Sequence, residues 1–254
     1  MLNTAGRTGY SSDHDAFRES VRRFMAREYL PYLDQWECDG IIPRSFWLVA
    51  GEAGLICPNV PEAYGGPGLD FRFNAVIAEE FGYCGSIPGI SLQSDITADY
   101  IVAYGSEEQR RQYLPAMVAG EIISAIAMTE PGAGSDLQGI RTSAKRDGDH
   151  YVINGSKTYI TNGQNADLVI VVARTAPDGG SKGTSLILVE ADRAGFKRGR
   201  NLDKIGCHSA DTSELFFEDV RVPATNLLGP EHGGFACLMN QLPQERLAVA
   251  IYAQ

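Results

Sequence analysis

Met128-Thr129-Glu130-Pro131-Gly132-Ala133-Gly134-Ser135-Asp136 is the stretch on which the reading of the fold turns. It follows an apolar run, Ile122 to Ala127, and precedes a series of β-like segments, so it stands where the chain changes period. A strand that runs into Pro, three small residues and a Ser-Asp pair is poor material for a core. Where a strand ladder stops, backbone N–H groups and Thr and Ser hydroxyls are left to meet a planar or anionic ligand.

Upstream of the turn the pattern is helical. Residues 1 to about 12 are small and polar and are expected to be disordered. From Asp15 onward Phe17, Val21, Phe24, Met25 and Tyr29 recur at helical spacing, with Arg18, Glu19, Arg22 and Arg23 expected on the solvent face. Pro43 stands where a first helical position would be, ahead of Phe46, Trp47, Val49 and Ala50, and Gly54 is a plausible stop. Asn59 to Asp70, with Gly65-Gly66-Pro67-Gly68, reads as loop. Helices are expected over Phe71 to Tyr83 and Ile90 to Tyr104. A further one opens at the capping box Ser106-Glu107-Glu108-Gln109 and ends near Ala119-Gly120. Residues 1–121 thus read as an all-α N-terminal domain.

Downstream the period becomes that of strands. Tyr151-Val152-Ile153 and Lys157 to Thr161 flank Asn154-Gly155, a pair that supplies the two positive-φ positions of a hairpin turn. Leu168 to Ala173, Ser185 to Glu190 and Glu214 to Val222 read as further strands, the last ending at Pro223. Strands this close together without intervening helices predict an antiparallel, β-barrel-like middle domain over residues 122–230, so the fold class is α+β. Residues 231–254 turn helical again through Phe235, Leu238, Met239, Leu242, Leu247, Ala250 and Ile251. A helix opened and not closed reads as the start of a truncated C-terminal helical domain.

Composition narrows the function. At 254 residues with 44% hydrophobic and 21% charged residues the chain can bury a sizeable core, and its net charge of −10 argues against nucleic acid as a partner. The five cysteines, Cys38, Cys57, Cys84, Cys207 and Cys237, form no Cys-x-x-Cys pair and read as reduced thiols of a cytoplasmic protein. His14, His150, His208 and His232 have no ligand spacing, so no metal site is expected. No segment approaches about 18 uninterrupted apolar residues, and the first twenty residues lack signal-peptide character, so neither a membrane span nor a signal peptide is expected.

Several chemistries drop out. There is no Gly-x-Gly-x-x-Gly between strand and helix, no Gly-Lys-Ser/Thr phosphate loop and no Gly-x-Ser-x-Gly elbow around Ser135. What remains is the Gly-rich turn together with Tyr159-Ile160-Thr161-Asn162-Gly163, an aromatic ring and a hydroxyl at a strand end. An aromatic face beside backbone and hydroxyl donors suits a flat heteroaromatic cofactor; plain cross-strand packing is the alternative.

Ala127 to Asp136 resembles the signature of the acyl-CoA dehydrogenase family. Four further blocks agree in order: Asn154 to Gly163; Lys204-Ile205-Gly206 with Asp211 to Leu215; Phe217 to Pro223; and Asn226-Leu227-Leu228-Gly229. The resemblance covers essentially the whole chain. It implies a helical N-terminal domain, a middle β domain and a C-terminal four-helix domain, most of which lies outside these residues, with FAD held between the last two. It further implies flavin contacts from Ile126, Met128, Thr129, Tyr159 and Thr161, with Tyr159 where many members have Trp and Thr161 near flavin N5. Ser135 would meet the CoA portion of the substrate or the flavin phosphates. In most members the catalytic Glu lies late in the C-terminal domain; in the long-chain and isovaleryl branches it lies in a stretch similar to Leu242-Pro243-Gln244-Glu245-Arg246-Leu247, which makes Glu245 the candidate base. The alternative for Glu245 is a solvated ion pair with Arg246. Arg193, Lys197, Arg198, Arg200 and Lys204 form the basic cluster, either a solvated loop or a CoA phosphate contact. The implied activity is α,β-dehydrogenation of an acyl-CoA to trans-2-enoyl-CoA, with electron-transfer flavoprotein as acceptor and a homo-oligomer as assembly. A related acyl-CoA oxidase, a flavin monooxygenase, or a truncated non-catalytic subunit that binds a partner are the alternatives.

Overall fold

The computed structural model describes residues 8–176 and 179–254, so most of the N-terminal stretch expected to be disordered lies outside the described residues. Helix α1, Ser12–Glu28, opens at Ser11, whose hydroxyl and backbone N–H both engage His14, and it buries Val21, Phe24 and Met25. Arg18 departs from the expected solvent face. It lies on the buried stripe, 2% exposed, because Glu79 and Glu80 meet it there at 2.6 and 2.8 Å. A short α2, Leu33–Asp39, sets Trp36 edge-on to Tyr29 and Phe46. Pro43 is the N-cap of α3, Arg44–Glu52, rather than its first residue, since its ψ of 150° is extended.

Helix α4 spans Phe71–Tyr83 as expected, capped by the Asp70 carboxylate, which accepts from the Arg72 N–H. The helix expected over Ile90 to Tyr104 has a π turn in its middle: α5, Ile90–Leu92, passes through Gln93–Thr97 into α6, Ala98–Tyr104. That turn is the joint between the helical layer and the sheet. The Gln93 amide donates to the carbonyls of Met117 and Ile122 and accepts from the Ser124 N–H. Helix α7, Glu107–Val118, carries the expected Ser106/Gln109 capping box.

The strands are β1 (Ser124–Ala127), β2 (Ser143–Asp147), β3 (His150–Thr161), β4 (Leu168–Arg174), β5 (Thr184–Glu190), β6 (Phe196–Asn201), β7 (Thr212–Pro223) and β8 (Leu227–Leu228). Their order is β6-β7-β3-β2-β4-β5-β8, mostly antiparallel as expected, with β1 alongside β4 in parallel. Asn154-Gly155 is not the hairpin turn. Strand β3 runs straight through it, and the chain reverses earlier, at Gly148 (φ 60°), where Asp147 pairs with His150. Gly155 instead sits at a register shift opposite β7, where a Cβ would meet Thr142 Oγ1 at 2.4 Å, and the Asn154 side chain bonds Asp219 across the strands. The basic cluster is likewise strand as well as loop: Arg198 and Arg200 lie in β6 with Lys197, and Arg193 and Lys204 flank it.

Strands β4 and β5 are buried on both faces, which is why they read as unbroken apolar runs. Leu168, Ile170 and Val172 face the helical layer, while Val169, Val171 and Ala173 face a second core within the sheet. Helix α8, Gly234–Ala253, then crosses back to pack on α4, α6, the π turn and β5. No described helix is long and apolar enough to cross a membrane.

Candidate active site

The turn after β1 is held from β3. Lys157, whose side chain is fully buried, donates to the Met128 carbonyl at 3.0 Å and to Glu130 Oε1 at 2.9 Å. Glu130 also accepts from the N–H groups of Arg141 (2.7 Å) and Thr142 (2.9 Å), and the Thr158 N–H donates to the Thr129 carbonyl at 2.9 Å. Burial pushes the Lys157 ammonium down to about 8 while Glu130 draws it back, and Lys157 with the two backbone donors holds Glu130 below the usual carboxylate range despite its burial. The pair is therefore ionised at neutral pH. The expectation of free backbone donors holds only in part, because Glu130 and Ala133 bond to each other across Pro131-Gly132. Among the described residues nothing accepts from the Thr129 hydroxyl, and Gly132 and Gly134 face open space.

Two residues beyond Lys157 the ladder slips against β7, and Tyr159 is left at φ 58°. Its ring is 68% exposed, so the packing alternative for Tyr159 does not apply. A bulky residue in the left-handed region is strained, and such strain concentrates at functional sites. Met128 and Thr129 are half-buried, Ser135 is exposed, and Ile126 is a core residue packed toward the helical layer.

Thr161, at the end of β3, joins this surface to a cavity. A space of about 160 Å³ lies between the π-turn helix and α8, walled by Leu92, Ile96, Ala248 and Val249, with Thr161 and Glu245 in its lining. The lining does not include Met128, Thr129, Ser135 or Tyr159. Glu245 sits past the middle of α8, 7% exposed, and accepts from the Tyr100 hydroxyl at 2.8 Å. Burial raises its pKa, with Tyr100 and then Arg246 acting the other way. A solvated Glu-Arg pair is thus not what Glu245 forms. Next to it Gln244 donates to Asp99 across the helix pair, and Asn59 donates to the other Asp99 oxygen.

A larger hollow, about 410 Å³, lies away from this site among Tyr113, Asp167, Glu190 and Arg198, whose polar groups are already paired: Tyr113 with Glu190, Asp167 with Arg44, Arg198 with the Ala166 carbonyl. The basic cluster is similarly spent, Lys197 on Glu218, Arg193 on Glu190 and Lys204 on the Ala210 carbonyl. Among the described residues no three His, Cys, Asp or Glu converge as a metal site.

Family profiles settle the relationship. The acyl-CoA dehydrogenase N-terminal domain matches residues 11–121 and the acyl-CoA dehydrogenase middle domain matches residues 125–220. The chain belongs to the acyl-CoA dehydrogenase family. It is 53% identical over 244 residues to the pig (Sus scrofa) long-chain specific acyl-CoA dehydrogenase, mitochondrial, covering 95% of this chain and 57% of that protein. An acyl-CoA dehydrogenase from Geobacillus kaustophilus superposes with a TM-score of 0.95 at 52% identity, covering 96% of this chain and 65% of that one. An acyl-CoA dehydrogenase from Bacillus anthracis complexed with FAD gives 0.86 at 35% identity, covering 96% of this chain and 42% of that one. The chain thus spans about 57% of the length of the pig relative.

Lys157, Glu130 and Tyr100 had no signal of their own in the sequence. The first two are 27 positions apart and Tyr100 is 145 from Glu245, so only the fold reveals the pairs.

Proposed function

We propose that the whole protein is an FAD-dependent acyl-CoA dehydrogenase and that Glu245 is its base. The observation that carries this is a carboxyl group buried in an apolar cavity, raised in pKa and oriented by a tyrosine, within a family of this chemistry. FAD fits the neighbouring surface: an exposed Tyr159 ring, Thr129 and Thr161 hydroxyls without described partners, and two glycines opening on solvent are what a flat cofactor with polar edges requires. Met128, Thr129, Tyr159 and Thr161 would hold the ring, Ile126 would back it from the core, and Ser135 would meet the substrate. Bound there, FAD would supply the acceptor for the hydride that leaves the β-carbon.

Glu245 takes the α-proton of the thioester, and the C–H electron pair becomes the α,β double bond of a trans-2-enoyl-CoA. Because the apolar wall keeps Glu245 in poor solvation, the carboxylate is a stronger base than its solvated counterpart. Tyr100 fixes which oxygen faces the substrate by occupying the other. The Lys157–Glu130 pair keeps Met128 and Thr129 in place between turnovers. Electron-transfer flavoprotein as acceptor, a homo-oligomeric assembly, and a cytoplasmic or, as in the named relatives, mitochondrial location complete the proposal.

In the full-length protein Glu245→Gln is expected to lower turnover by roughly 10²- to 10⁴-fold while acyl-CoA still binds. Unchanged turnover removes Glu245 from the role. Peroxide release matching substrate consumption in air would move the reading to an oxidase.

A further inference from the structure

The outer end of the cavity is polar, which a pocket for a plain alkyl chain does not need. Asp95, in the π turn, lines it at 4% exposure. One of its oxygens accepts from Asn74 Nδ2 at 2.6 Å, and no cation is among the groups that act on it. Facing it from α8 is Tyr252, two helical turns beyond Glu245 and hence about 10 Å further along the axis. Tyr252 is 7% exposed and lines the same cavity; its buried hydroxyl makes no hydrogen bond of full geometry among the described residues, with the Ser91 side chain its one near, poorly aligned partner and Asp95 close by. The other carboxylates of this region are taken: Asp99 by Asn59 and Gln244, Glu245 by Tyr100. Buried hydroxyls are rarely left without a well-aligned partner, so one on a residue that lines a cavity points to a ligand group.

We propose that Asp95 and Tyr252 select an acyl chain carrying a hydroxyl group in its outer part over the plain alkyl chain of the same length. This rests on the reading of the cavity as the acyl site. A hydroxyl has one donor and two acceptor positions, which match the acceptor oxygen of Asp95 and the donor of Tyr252. Burial pushes the Asp95 carboxyl up to about 7, so near neutrality it can serve as acceptor or donor, while Tyr252 keeps its proton. A methylene at that depth gives the Tyr252 hydroxyl no aligned partner and Asp95 none beyond Asn74. Sites built to bond a hydroxyl reject the analogue without it more strongly than an apolar pocket rejects an added hydroxyl.

The test uses the full-length flavoprotein and compares decanoyl-CoA with monohydroxydecanoyl-CoAs whose hydroxyl is walked outward from the fifth carbon, by dissociation constant and by kcat/KM. At one position the hydroxylated thioester is expected to bind about 10-fold tighter than decanoyl-CoA. Tyr252→Phe, which removes a single oxygen and leaves the packing intact, is expected to bring that ratio toward one, and Asp95→Leu to tighten decanoyl-CoA itself. Equal binding of every pair by the wild type, or a preference that Tyr252→Phe leaves unchanged, overturns the proposal while leaving the dehydrogenase reading in place. A flavin bleached by neither class of thioester counts against the dehydrogenase reading instead.

Discussion

Glu130 and Glu245 stand on the two sides of the proposed site and are equally buried, at 7% exposure each, yet they are tuned in opposite directions. Glu130 receives a lysine ammonium and two backbone N–H groups, and its pKa is driven down. Glu245 receives one tyrosine hydroxyl, and burial drives it up. The difference lies in the partners, since residue type and exposure are shared. A carboxylate that is ionised at every physiological pH can serve as a fixed clamp and is useless as a base; one whose charged form is poorly solvated can take a proton. In the proposed function the sheet side thus serves position and the helix side proton transfer.

The comparison can be broken most forcefully at Lys157. Lys157→Met leaves Glu130 buried without its counter-charge and is expected to cost about 3–5 kcal/mol in denaturant unfolding, most of it recovered when Glu130→Gln is added. A single variant as stable as the wild type would show that the clamp carries no weight. Next in size is the pH dependence of the helix side. Asp95 keeps its proton up to about pH 7 in the folded state but only to about 4 unfolded. Between those values the folded state binds the extra proton, so stability falls as pH rises from about 4 to about 7. Asp95→Asn should flatten that part of a melting-temperature profile, and an unchanged slope would place the titration elsewhere. Smaller again is Tyr100→Phe. Tyr100 lowers the Glu245 pKa, so its loss should carry the acid limb of kcat/KM to higher pH, whereas a shift to lower pH would contradict the assignment. The smallest effect is at Tyr159, where glycine relieves the positive φ at the expense of unfolded-chain entropy. Tyr159→Gly is expected to change stability by under about 1 kcal/mol while weakening flavin retention in dialysis; intact retention would remove Tyr159 from the flavin wall.

What could be read in advance follows the range of the forces. Helix α4 and the Ser106/Gln109 box are specified by residues within a turn of one another, and both stand where the sequence places them. Seven residues with one buried aromatic were too few to announce α2. Asn154-Gly155 misleads because the use of a flexible glycine depends on Thr142 and Asp219, which only the folded sheet brings near. Arg18 misleads because charge alone says nothing of a carboxylate pair waiting on α4. At the proposed site, the Gly-rich turn carries a local pattern of its own, whereas the Gln-Glu-Arg stretch entered only through the family resemblance. Lys157, Tyr100, Asp95 and Tyr252 act through partners far along the chain and were not legible.

The central claim is that Glu245 is the base of a flavin-dependent dehydrogenation, and anaerobic titration of the full-length protein with a panel of acyl-CoAs tests it most directly. The account predicts that at least one thioester bleaches the absorbance of oxidised flavin in the wild type, and that Glu245→Gln binds the same thioester with a spectral shift but bleaches at least about 10²-fold more slowly. No bleaching by any thioester, or equal rates in the two proteins, would contradict it.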